Sequence, residues 1–106
     1  MLSEIDRKTA GEFKKHLADV VSLLDFRVYG SRARGDSSPE SDLDIFIEVD
    51  TLSKEQRLRI SEIAWEVGFE MDRVISPFVA TREQIAHGPL AANPILEKIE
   101  NEGIRL

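Results

Sequence analysis

A glycine-serine pair and two alternating aspartates are the residues of this chain whose types and spacing could carry chemistry. Gly30 and Ser31 follow a short apolar run, and Asp42 and Asp44 open a second one. Residues i and i+2 of a strand point to the same face, so the two carboxylates should lie side by side. Paired carboxylates suit Mg²⁺, which proteins commonly hold through one or two acids and substrate phosphate oxygens. A Gly-Ser turn between a strand and a helix would offer backbone N–H groups and a hydroxyl to those phosphates.

This arrangement resembles the signature of the nucleotidyltransferase superfamily to which DNA polymerase β belongs, a Gly-Ser pair followed by Asp-x-Asp. The stretch 28–49 is similar to the minimal, single-domain branch of that superfamily, and residues 93–106 are similar to the tail of many minimal members. The resemblance implies a polymerase β-like fold of the α/β class, Mg²⁺ as the metal, and a nucleoside triphosphate, ATP, as the substrate. It makes Asp42 and Asp44 metal ligands and catalytic residues, and it makes Gly30 and Ser31 phosphate-binding residues.

Positive charge gathers beside the Gly-Ser pair. Arg32 and Arg34 follow it directly, and we expect them to contact the nucleotide's phosphates. The alternative is that these arginines pair on the surface with loop acids such as Asp36 and Glu40. The formal net charge of −6 argues against unaided binding to a nucleic-acid backbone, which requires a basic stripe.

The third carboxylate of the site is ambiguous. Active members of the family carry one on the next strand. One register aligns Met71-Asp72-Arg73-Val74 with the family segment, so Asp72 becomes the third metal ligand and catalytic acid, and this is our prediction. The other register places Ser76 there. The two positions lie about 13 Å apart along a strand and cannot fill the same role. Glu48 is a weaker substitute, and a site without a third acid is also open.

Length and composition indicate one globular domain over residues 1–106. Apolar residues make up 42% and charged residues 32% of the 106 residues, as in ordinary soluble proteins. No cysteine is available for disulfides or thiolate metal sites, and no apolar run approaches the length of a membrane span. We therefore expect a cytoplasmic protein that does not associate with membranes.

Hydrophobic periodicity and capping residues predict a small mixed sheet with helices packed on one face. Ser3 and Ser53 are candidate N-caps, Ser53 with Gln56 as a capping box. Pro77 cannot donate to a ladder, which favours an edge strand. The predicted helices span about 4–24, 54–67, 82–87 and 94–101, and the predicted strands span 26–29, 43–49 and 72–80.

The side chains of the second predicted strand alternate between its two faces, and we expect the two faces to have different roles. We expect the apolar set to meet the helices and the other set to line the site. The first set is Leu43, Ile45, Ile47 and Val49; the second is Asp42, Asp44, Phe46 and Glu48.

The helix predicted from Lys54 is apolar on two opposite faces. Ile60, Ile63 and Val67 share the face expected in the core, while Leu58 and Trp65 cluster on the other with Phe69. Such a helix is either buried on both sides or docked on a partner. The alternative is that Phe69 lies past the helix end and folds back into the core.

The family resemblance also implies a biological setting. Minimal members are often encoded beside a small helical HEPN-domain protein and act as antitoxins by transferring AMP to it. We therefore expect a Mg²⁺-dependent adenylyltransferase with a HEPN-domain toxin or another protein as acceptor, docking near Leu58 and Trp65. The alternatives are a homo-oligomer at that surface, and a degenerate binding module that neutralises its partner by contact alone.

Overall fold

Four strands and five α-helices form the part of the chain described by the computed structural model, residues 2–35 and 41–106. The loop acids Asp36 and Glu40 lie outside those residues. In chain order the elements are α1 Glu4–Leu17, β1 Leu23–Tyr29, α2 Gly30–Arg34, β2 Leu43–Val49, α3 Lys54–Met71, β3 Ile75–Thr81, α4 Arg82–Ala86, a 3₁₀ turn Pro89–Ala92, α5 Pro94–Glu102 and β4 Ile104–Arg105.

The sheet is mixed, with the strand order β3-β2-β1-β4. β2 pairs antiparallel with β1 and parallel with β3, and α3 is the crossover that a parallel pair requires. The predicted mixed sheet is confirmed. Pro77 lies on β3 at the edge of the described sheet, as expected for a residue that cannot donate to a ladder.

The side chains of β2 alternate between two faces: the apolar set meets the helices as predicted, whereas Phe46, expected to line the site, is buried in a second hydrophobic cluster. Leu43, Ile45, Ile47 and Val49 are fully buried in the cluster that α1 and α3 cover. Phe46, on the other face, packs with Ala80 and with Ile99 of α5 in a smaller cluster. α5 leaves Asp44, which is on the same face of β2, partly exposed.

Two helix boundaries differ by more than one residue from the predicted ones. α1 ends at Leu17 rather than near residue 24, because the chain turns after Leu17 and joins the sheet at Leu23, which pairs with Val49. α3 continues past Gly68, which does not end the helix. A Cβ at Gly68 would come within 2.5 Å of the Arg73 carbonyl oxygen, so glycine permits a close approach of the returning chain.

Predicted caps are present at the starts of α1 and α3. Ser3 Oγ accepts a hydrogen bond from the Asp6 amide at 3.1 Å, and Ser53 forms a reciprocal capping box with Gln56. β4, only two residues long, left no pattern in the sequence. None of the helices in the described ranges has the length and apolar character needed to cross a membrane.

Candidate active site

The Gly-Ser turn and the carboxylate of Asp44 meet where β1 passes into α2. Tyr29, the last residue of β1, pairs with Asp44 of β2, which brings the next residue, Gly30, against the aspartate. Gly30 has a φ of +76°, a conformation that L side chains rarely adopt. A Cβ at this position would lie 2.5 Å from Asp44 Oδ2. Glycine is therefore required here both by the backbone conformation and by the close carboxylate.

A cleft of about 410 Å³ opens at this junction. It brings together four predicted site residues, Gly30, Ser31, Arg34 and Asp44. Its opposite wall is α5. The described residues that line it are Tyr29, Gly30, Ser31, Arg34, Asp44, Pro94, Ile95 and Lys98.

Asp44 is the one acid among the described residues that line this cleft, and Arg34 and Lys98 are its cations. Burial raises the pKa of Asp44, the neighbouring charge of Asp42 raises it further, and the positive charges of Arg34 and Lys98 lower it. The pKa of Tyr29 is also raised, chiefly by burial and then by Asp44. A carboxylate whose ionisation is opposed by burial and by a neighbouring acid fits a hard divalent cation, because the charge of the cation would favour the ionised form. Asp42 and Asp44 are thus residues that could hold Mg²⁺ together with substrate phosphates.

The neighbouring strand presents a serine, not an acid, beside Asp44. The parallel register of β2 and β3 pairs Asp44 with Ser76 and Glu48 with Ala80. The expectation that Asp72 lies on the third strand is wrong: Asp72 is the C-cap of α3 with a φ of +55°, three residues before β3 begins. Aspartate tolerates this left-handed conformation better than most residues, which explains why the helix ends there. In residues 2–35 and 41–106, no group of three acids or histidines is placed to hold a metal ion.

Comparison with known proteins identifies the family to which the chain belongs. The family profile described as a nucleotidyltransferase domain matches residues 7–104. The chain belongs to the nucleotidyltransferase domain family. A relative from Methanocaldococcus jannaschii that is named as a protein adenylyltransferase is 31% identical over 100 residues, covering 90% of this chain and 92% of the relative.

Solved structures share the fold of this nucleotidyltransferase at low sequence identity. One described as a minimal nucleotidyltransferase is 20% identical with a TM-score of 0.65, and covers 100% of this chain and 97% of its own. The crystal structure of a toxin-antitoxin with AMP-PNP is 21% identical with a TM-score of 0.64, over 91% of this chain and 70% of the other. A toxin-antitoxin MntA-HpeT mutant is 17% identical with a TM-score of 0.57, over 94% and 70% respectively.

The two arginines of the nucleotidyltransferase's α2 have different surroundings. Arg32 is buried, and its guanidinium donates to the carboxylate of Asp6 at 3.1 Å and to the Ser41 carbonyl at 2.8 and 3.0 Å. It does not line the Gly-Ser cleft. Arg34 does, and its Nη1 lies 3.0 Å from Glu102 Oε2 in an ion pair that remains partly exposed. Of the two predicted phosphate ligands, only Arg34 therefore lies at the cleft.

Asp6 was not identified from the sequence as a site residue, although its carboxylate supports the site. It is 2% exposed and accepts hydrogen bonds from Arg32 and from Arg73 Nε at 3.2 Å. This triad joins α1, α2 and the turn before β3. Since Arg32 also holds the Ser41 carbonyl, the network fixes the Gly-Ser helix to the residue that precedes Asp42.

Sequence reasoning missed the cleft residues of α5, among which Lys98 carries the charge. It lies 54 positions after Asp44, so no local spacing connects the two. The only available signal was the family-like tail at residues 93–106, which contains it.

The outer face of α3 forms an exposed apolar patch, as predicted, consisting of Leu58, Trp65 and Phe69. Their exposed fractions are 62%, 69% and 77%. Trp65 and Phe69 stack with ring centroids 5.4 Å apart and an interplanar angle of 13°. The alternative that Phe69 folds back into the core is wrong. Next to this α3 patch lies a cavity of about 710 Å³, whose walls include Asp72 and Pro77.

Proposed function

We propose that this nucleotidyltransferase is a Mg²⁺-dependent adenylyltransferase that moves AMP from ATP to a protein acceptor. The observation that carries the proposal is the meeting of Gly30, Ser31 and Asp44 in one cleft with Arg34. This cleft offers a hydroxyl and a guanidinium for phosphates and the carboxylate of Asp44 for a cation, with the charge of Asp42 acting on Asp44 from outside the cleft lining. The relative from M. jannaschii, which is named as a protein adenylyltransferase, and the toxin-antitoxin structures of the same fold support a protein acceptor.

In the proposed reaction, an acceptor hydroxyl oxygen attacks the α-phosphorus of ATP. The bond between that phosphorus and the bridging oxygen of pyrophosphate breaks, and pyrophosphate leaves. Ser31 and Arg34 hold the phosphate chain in line for this displacement, and Arg34 offsets the charge that develops on it. Mg²⁺, held by Asp42 and Asp44, would supply electrostatic stabilisation of the attacking and leaving oxygens.

The proton of the acceptor hydroxyl needs a base, and β3 offers Ser76 rather than a carboxylate beside Asp44. We propose that the acceptor protein completes the site by supplying or positioning this group. A protein acceptor could also close the cleft, which is a role that a second domain serves in larger transferases.

The proposed acceptor is a HEPN-domain toxin, which the nucleotidyltransferase would neutralise in the cytoplasm. We assign its docking to the α3 patch around Leu58 and Trp65. α3 covers the sheet face opposite to that of Asp44, so an acceptor docked on α3 would extend around the sheet to place its hydroxyl in the nucleotide cleft. Exposed aromatic side chains are typical anchors of interface cores.

Incubation of the purified chain and its partner with ATP labelled on the α-phosphate, with and without Mg²⁺, tests the proposal. We expect label on the partner only when Mg²⁺ is present. ATP labelled on the γ-phosphate is the control and should label nothing, since pyrophosphate leaves. Label from γ-phosphate alone would indicate phosphorylation and would contradict adenylyl transfer.

A second candidate function is a binding module that neutralises its partner by contact. Ser76 in place of a third carboxylate favours it. Neutralisation of the partner by the Asp44→Asn variant, with no label transferred by the parent protein, would support this alternative against the enzyme.

A further inference from the structure

The opposite wall of the nucleotide cleft is formed by α5, and its position is fixed at several points. Ile99 is 2% exposed and packs with Phe46 and Ala80 on the sheet. At the C-terminal end, the chain enters β4, which pairs with β1 through Arg27 with Arg105 and Val28 with Ile104. The packing and the pairing together hold α5 beside the Gly-Ser turn.

One side of α5 faces the cleft. Pro94, Ile95 and Lys98 line it, and Lys98 lies four residues after Pro94 and three after Ile95, the spacings at which side chains of a helix are neighbours. Pro94 and Ile95 are apolar, while Lys98 carries a positive charge. The wall thus combines a small apolar surface with one cation. The apolar surface is complementary to the flat base of a nucleotide, and the cation is complementary to its anionic phosphate chain.

Lys98 is available for a ligand. Within the described ranges it forms no ion pair with a carboxylate, unlike Arg34, which pairs with Glu102. Its charge acts on Asp44, across the cleft from it. Phosphate oxygens placed between Asp44, Ser31 and Lys98 would gain a cationic partner on the side that α2 does not cover. Lysine binds phosphate as a point charge with three rotatable donors.

We propose that α5 is the second half of the nucleotide site, with Lys98 binding the phosphate chain of the nucleoside triphosphate and with Pro94 and Ile95 contacting its ribose and base. This inference rests on the proposed function, which requires a nucleoside triphosphate in the same cleft. It assigns ligand-binding roles to residues outside the Gly-Ser and Asp-x-Asp motifs.

Calorimetric titration of Lys98→Ala and Lys98→Arg with ATP, inorganic pyrophosphate and adenosine, all with Mg²⁺, tests this inference. Because hydrogen bonds to charged groups contribute about 1.5–3 kcal/mol, Lys98→Ala should weaken ATP and pyrophosphate binding roughly tenfold or more. Adenosine binding should not change, and Lys98→Arg should retain most of the affinity. Ile95→Ala should weaken ATP and adenosine but spare pyrophosphate. Lys54→Ala, the same change at an exposed position on α3, is the matched control.

Three results would overturn the inference. Unchanged ATP and pyrophosphate affinity in Lys98→Ala, with the parent protein binding both, would reject the role of α5 in nucleotide binding while leaving the proposed function intact. A parallel loss of adenosine binding together with a lower melting temperature would assign Lys98 a structural role. Absence of ATP binding by the parent protein would reject the proposed function and this inference together.

Discussion

Gly30 lies so close to Asp44 that a single added carbon would reach the carboxylate: a Cβ would come 2.5 Å from Oδ2. The same glycine holds a φ of +76° at the start of α2. The turn that presents Ser31 and the strand that presents Asp44 can therefore approach only when residue 30 has no side chain. This contact ties the two sequence motifs into one site.

Gly30→Ala should damage both the fold and the site. The left-handed backbone conformation costs a non-glycine residue about 1–3 kcal/mol, and the added methyl group would displace the Asp44 carboxylate. We expect a lower melting temperature and strongly weakened Mg²⁺-dependent ATP binding. Gly11→Ala is the control: it lies on an exposed position of α1 with nothing within 4 Å of the added carbon. There, alanine should stabilise by up to about 1 kcal/mol. Equal effects at both glycines would contradict the contact.

Substitution of Arg32 should lower the stability of the fold, whereas substitution of Arg34 should lower the affinity for ATP. Arg32→Ala would remove one of the two arginines that pair with the buried Asp6, Arg73 being the other, and should cost about 3 kcal/mol of folding free energy. Arg34→Ala breaks a partly exposed pair with Glu102, so stability should change by less than about 1 kcal/mol while ATP affinity falls. Chemical denaturation and ATP titration of both variants measure the difference. A stable Arg32→Ala with weakened ATP binding would return Arg32 to the phosphate site.

Variants of Ser76 and Asp72 test directly which position could hold the third carboxylate of the site. Ser76→Asp would place a carboxylate beside Asp44 in the parallel register and should raise the affinity for Mg²⁺ and the rate of AMP transfer. Asp72→Asn should change neither, and asparagine also tolerates the left-handed conformation of this cap. Transfer that is lost in Asp72→Asn with ATP binding retained would identify Asp72 as the third acid after all.

Trp65→Ala should weaken association with the partner by roughly 2 kcal/mol or more if Trp65 anchors the interface. Monomer stability should fall only modestly, because the side chain is 69% exposed. Glu70→Ala, an exposed change on another side of α3, is the matched control and should leave association unaltered. A large fall in melting temperature with unchanged association would reject the docking surface. Self-association of the parent chain that Trp65→Ala abolishes would assign the patch to a homo-oligomer.

Local patterns in the sequence predicted the fold class and half of the residues that line the cleft. The alternation of β2 predicted which of its side chains face α1 and α3, and the capping residues Ser3 and Ser53 predicted where two helices begin. Such features depend on neighbouring residues, so they can be read along the chain.

The parts that the sequence did not reveal depend on long-range packing. The register that pairs Asp44 with Ser76 is set by how α3 returns the chain over Gly68, and two registers were compatible with the same residues. The burial of Arg32 against Asp6, 26 positions away, left no local signature either. Lys98 joined the cleft only through the packing of α5 on the sheet.

The most direct measurement of the central proposal is Mg²⁺-dependent ATP binding by Asp42→Asn and Asp44→Asn. We expect each variant to lose binding that the parent shows, while Asp19→Asn, a remote exposed change, retains it. Because the folded state opposes ionisation of Asp44, removal of its charge at neutral pH should not lower the melting temperature. Loss of ATP binding in folded Asp42→Asn and Asp44→Asn is the predicted result. Binding of Mg²⁺ and ATP by both variants with parental affinity would contradict the assignment of the site.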